Sequence, residues 1–125
     1  MDSILLSIKK LLGITAEYEH YDADIIMHIN TTFIILRQLG VGPKEGFAIE
    51  NADAVWNDYI DADDDISVAM VKSYMGAKVR LIFDPPLSTA HIEALKQTVS
   101  EFEWRLNSEA DYSDTDGEEE NQNGE

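Results

Sequence analysis

Between Asp65 and Leu106 the chain reads DISVAMVKSYMGAKVRLIFDPPLSTAHIEALKQTVSEFEWRL, two helical periodicities interrupted once by a pair of prolines. The first half carries two apolar stripes, Val71, Met75, Val79, Ile82 and Ile66, Met70, Ala77, Leu81. One stripe is enough for a surface helix, so two predict burial on more than one side. Asp84-Pro85-Pro86 ends that helix at about Phe83, because the residue before a proline avoids the helical region. A second helix starts at Ser88 or Thr89 and reaches Leu106. Its Ile92, Leu95, Val99, Phe102 and Leu106 alternate steps of three and four, which makes a narrow coiled-coil-like seam. Trp104 lies off that seam. A turn this short between two helices implies an antiparallel pair.

Upstream, Ile25, Ile26, Ile29, Phe33, Leu36 and Leu39 repeat at helical spacing, with Asp22 as a cap and Gly40, Gly42 and Pro43 as the stop. Before it, Ile4, Leu5, Ile8, Leu11 and Leu12 predict a helix over about residues 2–12. Ser3 or Asp2 caps it, and Gly13 suits the left-handed position past its end. Residues 44–64 are ambiguous. Phe47 and Ile49 alternate as a strand does, and Val55 and Trp56 offer a partner after Asn51-Ala52-Asp53. Ala52, Val55, Trp56, Tyr59 and Ile60 equally fit a short helix, and a structureless connection of this length is unusual. The favoured reading is a small β-hairpin or arm leading into one helical turn. The expected fold is mainly α: a small bundle of about four helices, with that hairpin or arm between helices two and three.

At 125 residues the chain suits one domain. Its formal net charge is -16, from 25 Asp and Glu against 9 Lys and Arg. From Asn107 onward there are eight acids and no Lys or Arg, so this end supplies half of the excess. Such a segment cannot bury enough apolar surface to offset its ordering entropy. The expected organisation is therefore a helical domain over 1–107 and an acidic tail over 108–125, disordered unless bound to a partner. The absence of cysteine excludes disulfides and thiolate metal sites. Lys9 and Lys10 sit inside the first apolar run rather than ahead of it, which is not a signal-peptide layout. No stretch approaches a membrane span, so a soluble, intracellular protein is expected. An acidic balance argues against gripping phosphate backbones, since that affinity comes from clustered Lys and Arg. It is compatible with a channel wall along which DNA must slide.

The residues that carry chemistry are sparse. Asp58, Asp61, Asp63, Asp64 and Asp65 are dense, but counting from Asp58 or Asp61 the Gly and Glu of a calcium loop are missing. A solvated acidic loop that caps the following helix is the favoured reading, with weak Ca²⁺ or Mg²⁺ binding in an assembly as the alternative. His20, His28 and His91 form no metal-ligand spacing, and His28 is expected to meet Asp24 at the surface. Gly40-Val41-Gly42-Pro43 lacks the Lys and Ser/Thr of a phosphate loop. No catalytic residue, metal site or cofactor is assigned. Binding features are stronger. Trp56, Tyr59, Tyr74, Phe83, Phe102 and Trp104 are large for so small a domain, and such side chains either fill a core or anchor an interface.

Several motifs now stand in a definite order: Leu39-Gly40-Val41-Gly42-Pro43, Gly46-Phe47-Ala48-Ile49, Trp56-Asn57-Asp58-Tyr59, Val71-Lys72-Ser73-Tyr74, Lys78 to Pro86 (KVRLIFDPP) and Glu101 to Leu106 (EFEWRL). In that order they resemble the phage head–tail connector (adaptor) family, also described as DNA-packaging proteins, over residues 1 to about 107. The resemblance implies a structural protein without cofactor or catalytic residues. Its copies would close a homo-oligomeric ring, typically a dodecamer, beneath the portal protein. That ring would extend the DNA channel, without sequence-specific contact, and present a platform to a stopper or tail-completion protein. Localisation would be the virion, with host cytoplasm during assembly. Motif placement nominates Arg80, Phe83, Asp84, Glu101, Phe102, Glu103, Trp104 and Arg105 for a portal or ring interface. Phe47, Ile49, Trp56 and Tyr59 are nominated for an inter-subunit arm. The rival reading from charge alone is an acidic DNA mimic or regulator that binds a basic protein.

Overall fold

The computed structural model describes the backbone of residues 2–60 and 65–123 and the side chains of residues 2–60 and 68–108. Five helices follow one another: α1 (Ile4–Leu11), α2 (Asp22–Gln38), α3 (Trp56–Tyr59), α4 (Asp65–Phe83) and α5 (Thr89–Asn123).

Helix α1 begins where Ser3 Oγ accepts the Leu6 N–H at 3.3 Å, and it buries Ile4, Leu5 and Ile8. Gly13, at φ +80, ends it in a Schellman turn, with Ile14 N–H on Lys9 O at 2.8 Å and Gly13 N–H on Lys10 O at 3.1 Å. Gly40 repeats the device after α2, where Val41 N–H reaches Leu36 O at 2.9 Å. Along α2 the predicted stripe holds: Ile25, Ile29, Phe33 and Leu36 are buried. Asp22 is not the cap, however. Tyr21 occupies that position without a side-chain bond, because the Asp22 carboxylate lies 2.8 Å from the Lys9 ammonium.

Helix α4 packs against α1, α2 and α5. Val71, Tyr74, Met75 and Val79 are wholly buried, with Met70, Ala77 and Leu81 half-buried, so the helix is covered on two sides over its described side chains. The side chain of Ile66, the first of the second stripe, lies outside them. Ile82, assigned to the first stripe, is instead 46% exposed at the helix end. Ser88 Oγ accepts the His91 N–H at 3.2 Å and starts α5, whose Val99 and Leu106 are buried, whose Phe102 packs half-buried against the core, and whose Ile92 and Leu95 are half-buried. The antiparallel pair is as expected. The helix continues past Leu106 to Asn123. Asn107 Nδ2 donates to Leu39 O at 3.2 Å, which ties this part of α5 to the end of α2.

The expected hairpin does not form, and the count is five helices rather than four, because α3 is a helix of its own. No strand occurs among the described residues, and the reason is that both candidate strands find other partners. Ile49 exchanges two hydrogen bonds with one side chain: its N–H donates to Asn30 Oδ1 at 2.8 Å, and Asn30 Nδ2 donates to its carbonyl at 3.0 Å. The Asn30 carboxamide thus supplies the donor and acceptor that a neighbouring strand would have supplied. Val55 pairs instead with Ser3 in an isolated antiparallel bridge, with Ile4 N–H on Ala54 O at 3.0 Å. The helical turn predicted after this stretch is α3, held by Asp58 Oδ2, which accepts the Val55 N–H at 2.9 Å. Replacing Asn30 with alanine strands both groups of buried Ile49 and is expected to cost about 2 kcal/mol. A urea midpoint unchanged from the wild type would refute this account of the segment.

Candidate assembly surface

The nominated residues separate into three groups. Ile49, Trp56 and Tyr59 are at most 5% exposed, and Phe47 is half-buried with its ring 5.1 Å from Phe33. Trp56 Nε1 donates to Ser7 Oγ at 3.2 Å. Their side chains are spent inside their own chain, so an arm built here would touch a neighbour chiefly through backbone and the edge of Phe47.

The second group lies at the end of the bundle where the α1–α2 loop meets the α4–α5 turn. Phe83 packs edge-on against Tyr21 at 5.2 Å, and Tyr21 against His20 at 4.7 Å and Tyr18 at 5.8 Å. His28 lies 6.3 Å from Phe83, with no ion pair to Asp24 among the described residues. Tyr18 is 50% and Tyr21 39% exposed, and Leu87, in the turn, is fully open. Arg80 and Asp84 are exposed beside this aromatic cap, linked through backbone (Asp84 N–H on Arg80 O, 2.9 Å). The sequence singled out Phe83 but not Tyr18, His20 and Tyr21, which gather only when the loop folds back.

The third group is on α5, and the helix divides it. Glu103 faces inward, where its carboxylate accepts the Tyr74 hydroxyl at 2.7 Å with the Lys78 ammonium 3.5 Å away. Burial of Tyr74, reinforced by that hydrogen bond and the negative charge of Glu103, pushes its phenol well above the ordinary value; burial alone does the same for Tyr59. In both cases the folded state holds the proton more tightly. The resulting stability is complete below the unfolded tyrosine value near 10 and is lost as pH rises beyond it. Alkaline titration followed by circular dichroism should show the fold weakening above about pH 10. The Tyr74→Phe variant should show a shallower loss, and an identical slope would remove Tyr74 as a cause.

Glu101 and Arg105 form an exposed pair at 2.8 Å, which contributes little to stability. Together with Met70, Thr98 and Phe102 they line a groove of about 230 Å³ between α4 and α5. A shallower depression bounded by Arg80, Pro86, His91, Ala94, Leu95 and Thr98 continues from it, sharing Thr98. Trp104 does not line the groove; it points away at 71% exposure.

One further surface went unnoticed in the sequence. Met27 and Ile34 are each 57% exposed on the outer face of α2. They stand on a run from Ile25 to Pro43 that contains no Asp or Glu, conspicuous in so acidic a chain. Among the described residues no group of His, Asp and Glu is placed to hold a metal ion. Of the acidic cluster, Asp61, Asp63 and Asp64 lie outside the described residues, and Asp65 is the first residue of α4. No helix of the described residues is long and apolar enough to cross a membrane.

A family model described as phage connector protein matches residues 4–113. No curated protein and no solved structure matches the chain.

Proposed function

This chain belongs to the phage connector protein family, and on that premise we propose that it forms a homo-oligomeric ring beneath the portal at the capsid vertex. The family is a structural one, and its members serve the joining of phage head and tail parts. In the proposed role the ring, typically twelvefold, extends the DNA channel and offers a platform to a stopper or tail-completion protein. It acts in the virion at the head–tail interface, after assembly in the host cytoplasm. DNA passes through without sequence-specific contact, which suits a wall whose acids outnumber its cations.

The observation that carries the reading is a core already complete in one copy beside large apolar side chains left outside it in groups. Tyr18 and Tyr21 stand with Phe83 in the aromatic cap, Leu87 on the turn after α4, Met27 and Ile34 on α2, and Trp104 on α5. Single exposed apolar residues are ordinary, whereas grouped ones mark interaction sites. Residues 1–107 act as the connector domain, and the acidic segment from Ser108, the continuation of α5, serves contact with a partner. Arg80, Phe83 and Asp84 at one end, and Glu101, Phe102, Trp104 and Arg105 on α5, supply the portal and ring contacts.

Electron microscopy of the purified chain, alone and mixed with portal protein, is the direct test. Closed rings on the portal are expected; a chain that stays single at high concentration and ignores the portal overturns the proposal. Trp104→Ala should fold as the wild type does, because its side chain is open to solvent, yet fail to attach. Attachment with unchanged affinity would remove Trp104 from the interface.

The charge of -16 favours one rival, an acidic mimic of DNA or a regulator that captures a basic protein. Deletion of residues 108–125 separates the two. A mimic loses binding to its basic target with half of its excess charge, whereas a connector still closes rings.

A further inference from the structure

The groove between α4 and α5 has the composition of a receptor for one indole ring. Met70 provides a polarizable thioether, and Phe102 an aromatic floor. Arg105 can lay its guanidinium on an aromatic face, and the Glu101 carboxylate is an acceptor for an indole N–H. Of the two tryptophans in the chain, Trp56 is buried with its N–H already on Ser7. Trp104 is exposed and stands on α5 roughly a third of a turn round from the midline of the groove, outside its own groove. The knob and the hole therefore sit on different flanks of one helix, where one copy's knob meets another copy's hole.

Charge placement sets the register. The flank of α5 that bears Trp104 continues through Ser100 and Gln97 to Glu93, all exposed. Eleven residues of helix separate Glu93 from Trp104, about 16 Å. In the receiving trough, Met70 and Arg80 lie ten residues apart on α4, about 15 Å. Arg80 takes part in no ion pair among the described residues, and Glu93 has only the loose, exposed contact with Lys96 at 3.7 Å. With Trp104 of one copy against Met70 and Phe102 of the next, Glu93 falls opposite Arg80. In this register the two α5 helices run parallel. Parallel neighbours joined by unlike surfaces are what rotation about an axis along the helices generates. Such a contact repeats from copy to copy, closing into a ring where the rotation closes, rather than ending in a two-fold dimer.

We propose that the indole of Trp104 from one copy seats in the Met70–Phe102–Arg105 groove of the next, with Glu93 on Arg80, as the repeating contact of the assembly. The proposal rests on the ring reading above and specifies the surface that closes it.

A mixing experiment tests it. Trp104→Ala keeps the groove and lacks the knob; Thr98→Trp keeps the knob and fills the groove, and circular dichroism melting establishes that each is folded. In sedimentation, each variant alone should need at least about tenfold higher concentration than the wild type to assemble. Mixed in equal amounts, they should give a 1:1 dimer that does not grow. Separately, Arg80→Glu and Glu93→Arg should each impair assembly, and both changes in one chain should restore it. Wild-type-like rings from the Trp104→Ala variant overturn the contact while leaving the connector reading intact, as does a variant mixture that stays monomeric. Failure of the wild type to form rings, alone or on the portal, overturns the connector reading and this contact with it.

Discussion

Replacing Lys9 with alanine should destabilise the domain by about 3–5 kcal/mol, the range for removing one partner of a buried ion pair. Lys9 is wholly buried, and its ammonium is surrounded by three acceptors: Ala16 O at 3.1 Å, Tyr18 O at 2.8 Å and the Asp22 carboxylate at 2.8 Å. The two carbonyls take two of its three donors. The Asp22 contact is an ion pair by distance without hydrogen-bond geometry, so the buried Asp22 Oδ1 accepts no hydrogen bond among the described residues. The alanine variant loses the alkyl stem from the core and leaves a mostly buried carboxylate and two carbonyls without their cation. Against a total stability of about 5–15 kcal/mol for a domain, that is a large share. Lys9→Met keeps most of the volume and should cost less; adding Asp22→Asn should recover part of the remainder, because the stranded charge is then gone. Urea unfolding of the three variants measures this. A Lys9→Ala loss below about 1 kcal/mol would mean that the pair is solvated and the account is wrong. The functional consequence is local as well. The loop held by Lys9 carries Tyr18 and abuts Tyr21, so its loosening should also scatter the aromatic cap around Phe83.

Lys9 also illustrates where sequence reading stops. A lysine inside an apolar run counts, by pattern, as evidence against a signal peptide and as a surface position. Nothing local reveals that two carbonyls and a carboxylate further along the chain will fold back over it. The features set by contacts within a turn or two were legible: the Ser3 cap, the glycines after α1 and α2, the two-sided α4, the prolines after Phe83 and the seam of α5. Those set by distant partners were not. Phe47 and Ile49 do alternate, yet Ile49 pairs with Asn30 across the fold, so a true local pattern produced a hairpin that is absent. The nominated interface divides in the same way. Trp104 was legible as off the seam and is exposed. Glu103, one residue earlier, is turned inward to Tyr74, because α4 and not the pattern of α5 determines its partner. Membership of the phage connector family, by contrast, was carried by motif order and did not depend on any of these contacts.

Gly42→Ala should be the most damaging change of a single methyl group, at about 3 kcal/mol or more. Two costs add. Gly42 has φ +86, a conformation that costs an L-residue about 1–2 kcal/mol. A Cβ there would also come within 2.6 Å of Tyr59 Cε1 and 2.7 Å of its hydroxyl, closer than atoms can stand. Tyr59 cannot simply swing aside. It is 5% exposed, its ring packs on Phe33 at 4.6 Å and Phe47 at 5.4 Å, and overpacking such a site costs about 1–3 kcal/mol. The comparison that isolates the two terms is Gly13→Ala, where φ is +80 but nothing lies within 4 Å of the added carbon. That variant should show the backbone cost alone. In the Gly42→Ala, Tyr59→Leu double variant the steric part should shrink, because the atoms that meet the new methyl are gone, and the two changes should couple strongly. Equal losses at Gly13 and Gly42 would show that the approach of Tyr59 carries no energetic weight. A larger loss at Gly42 ties the Gly40–Pro43 turn to the aromatic core, and explains why that turn needs glycine where the side chain of Tyr59 passes beneath it.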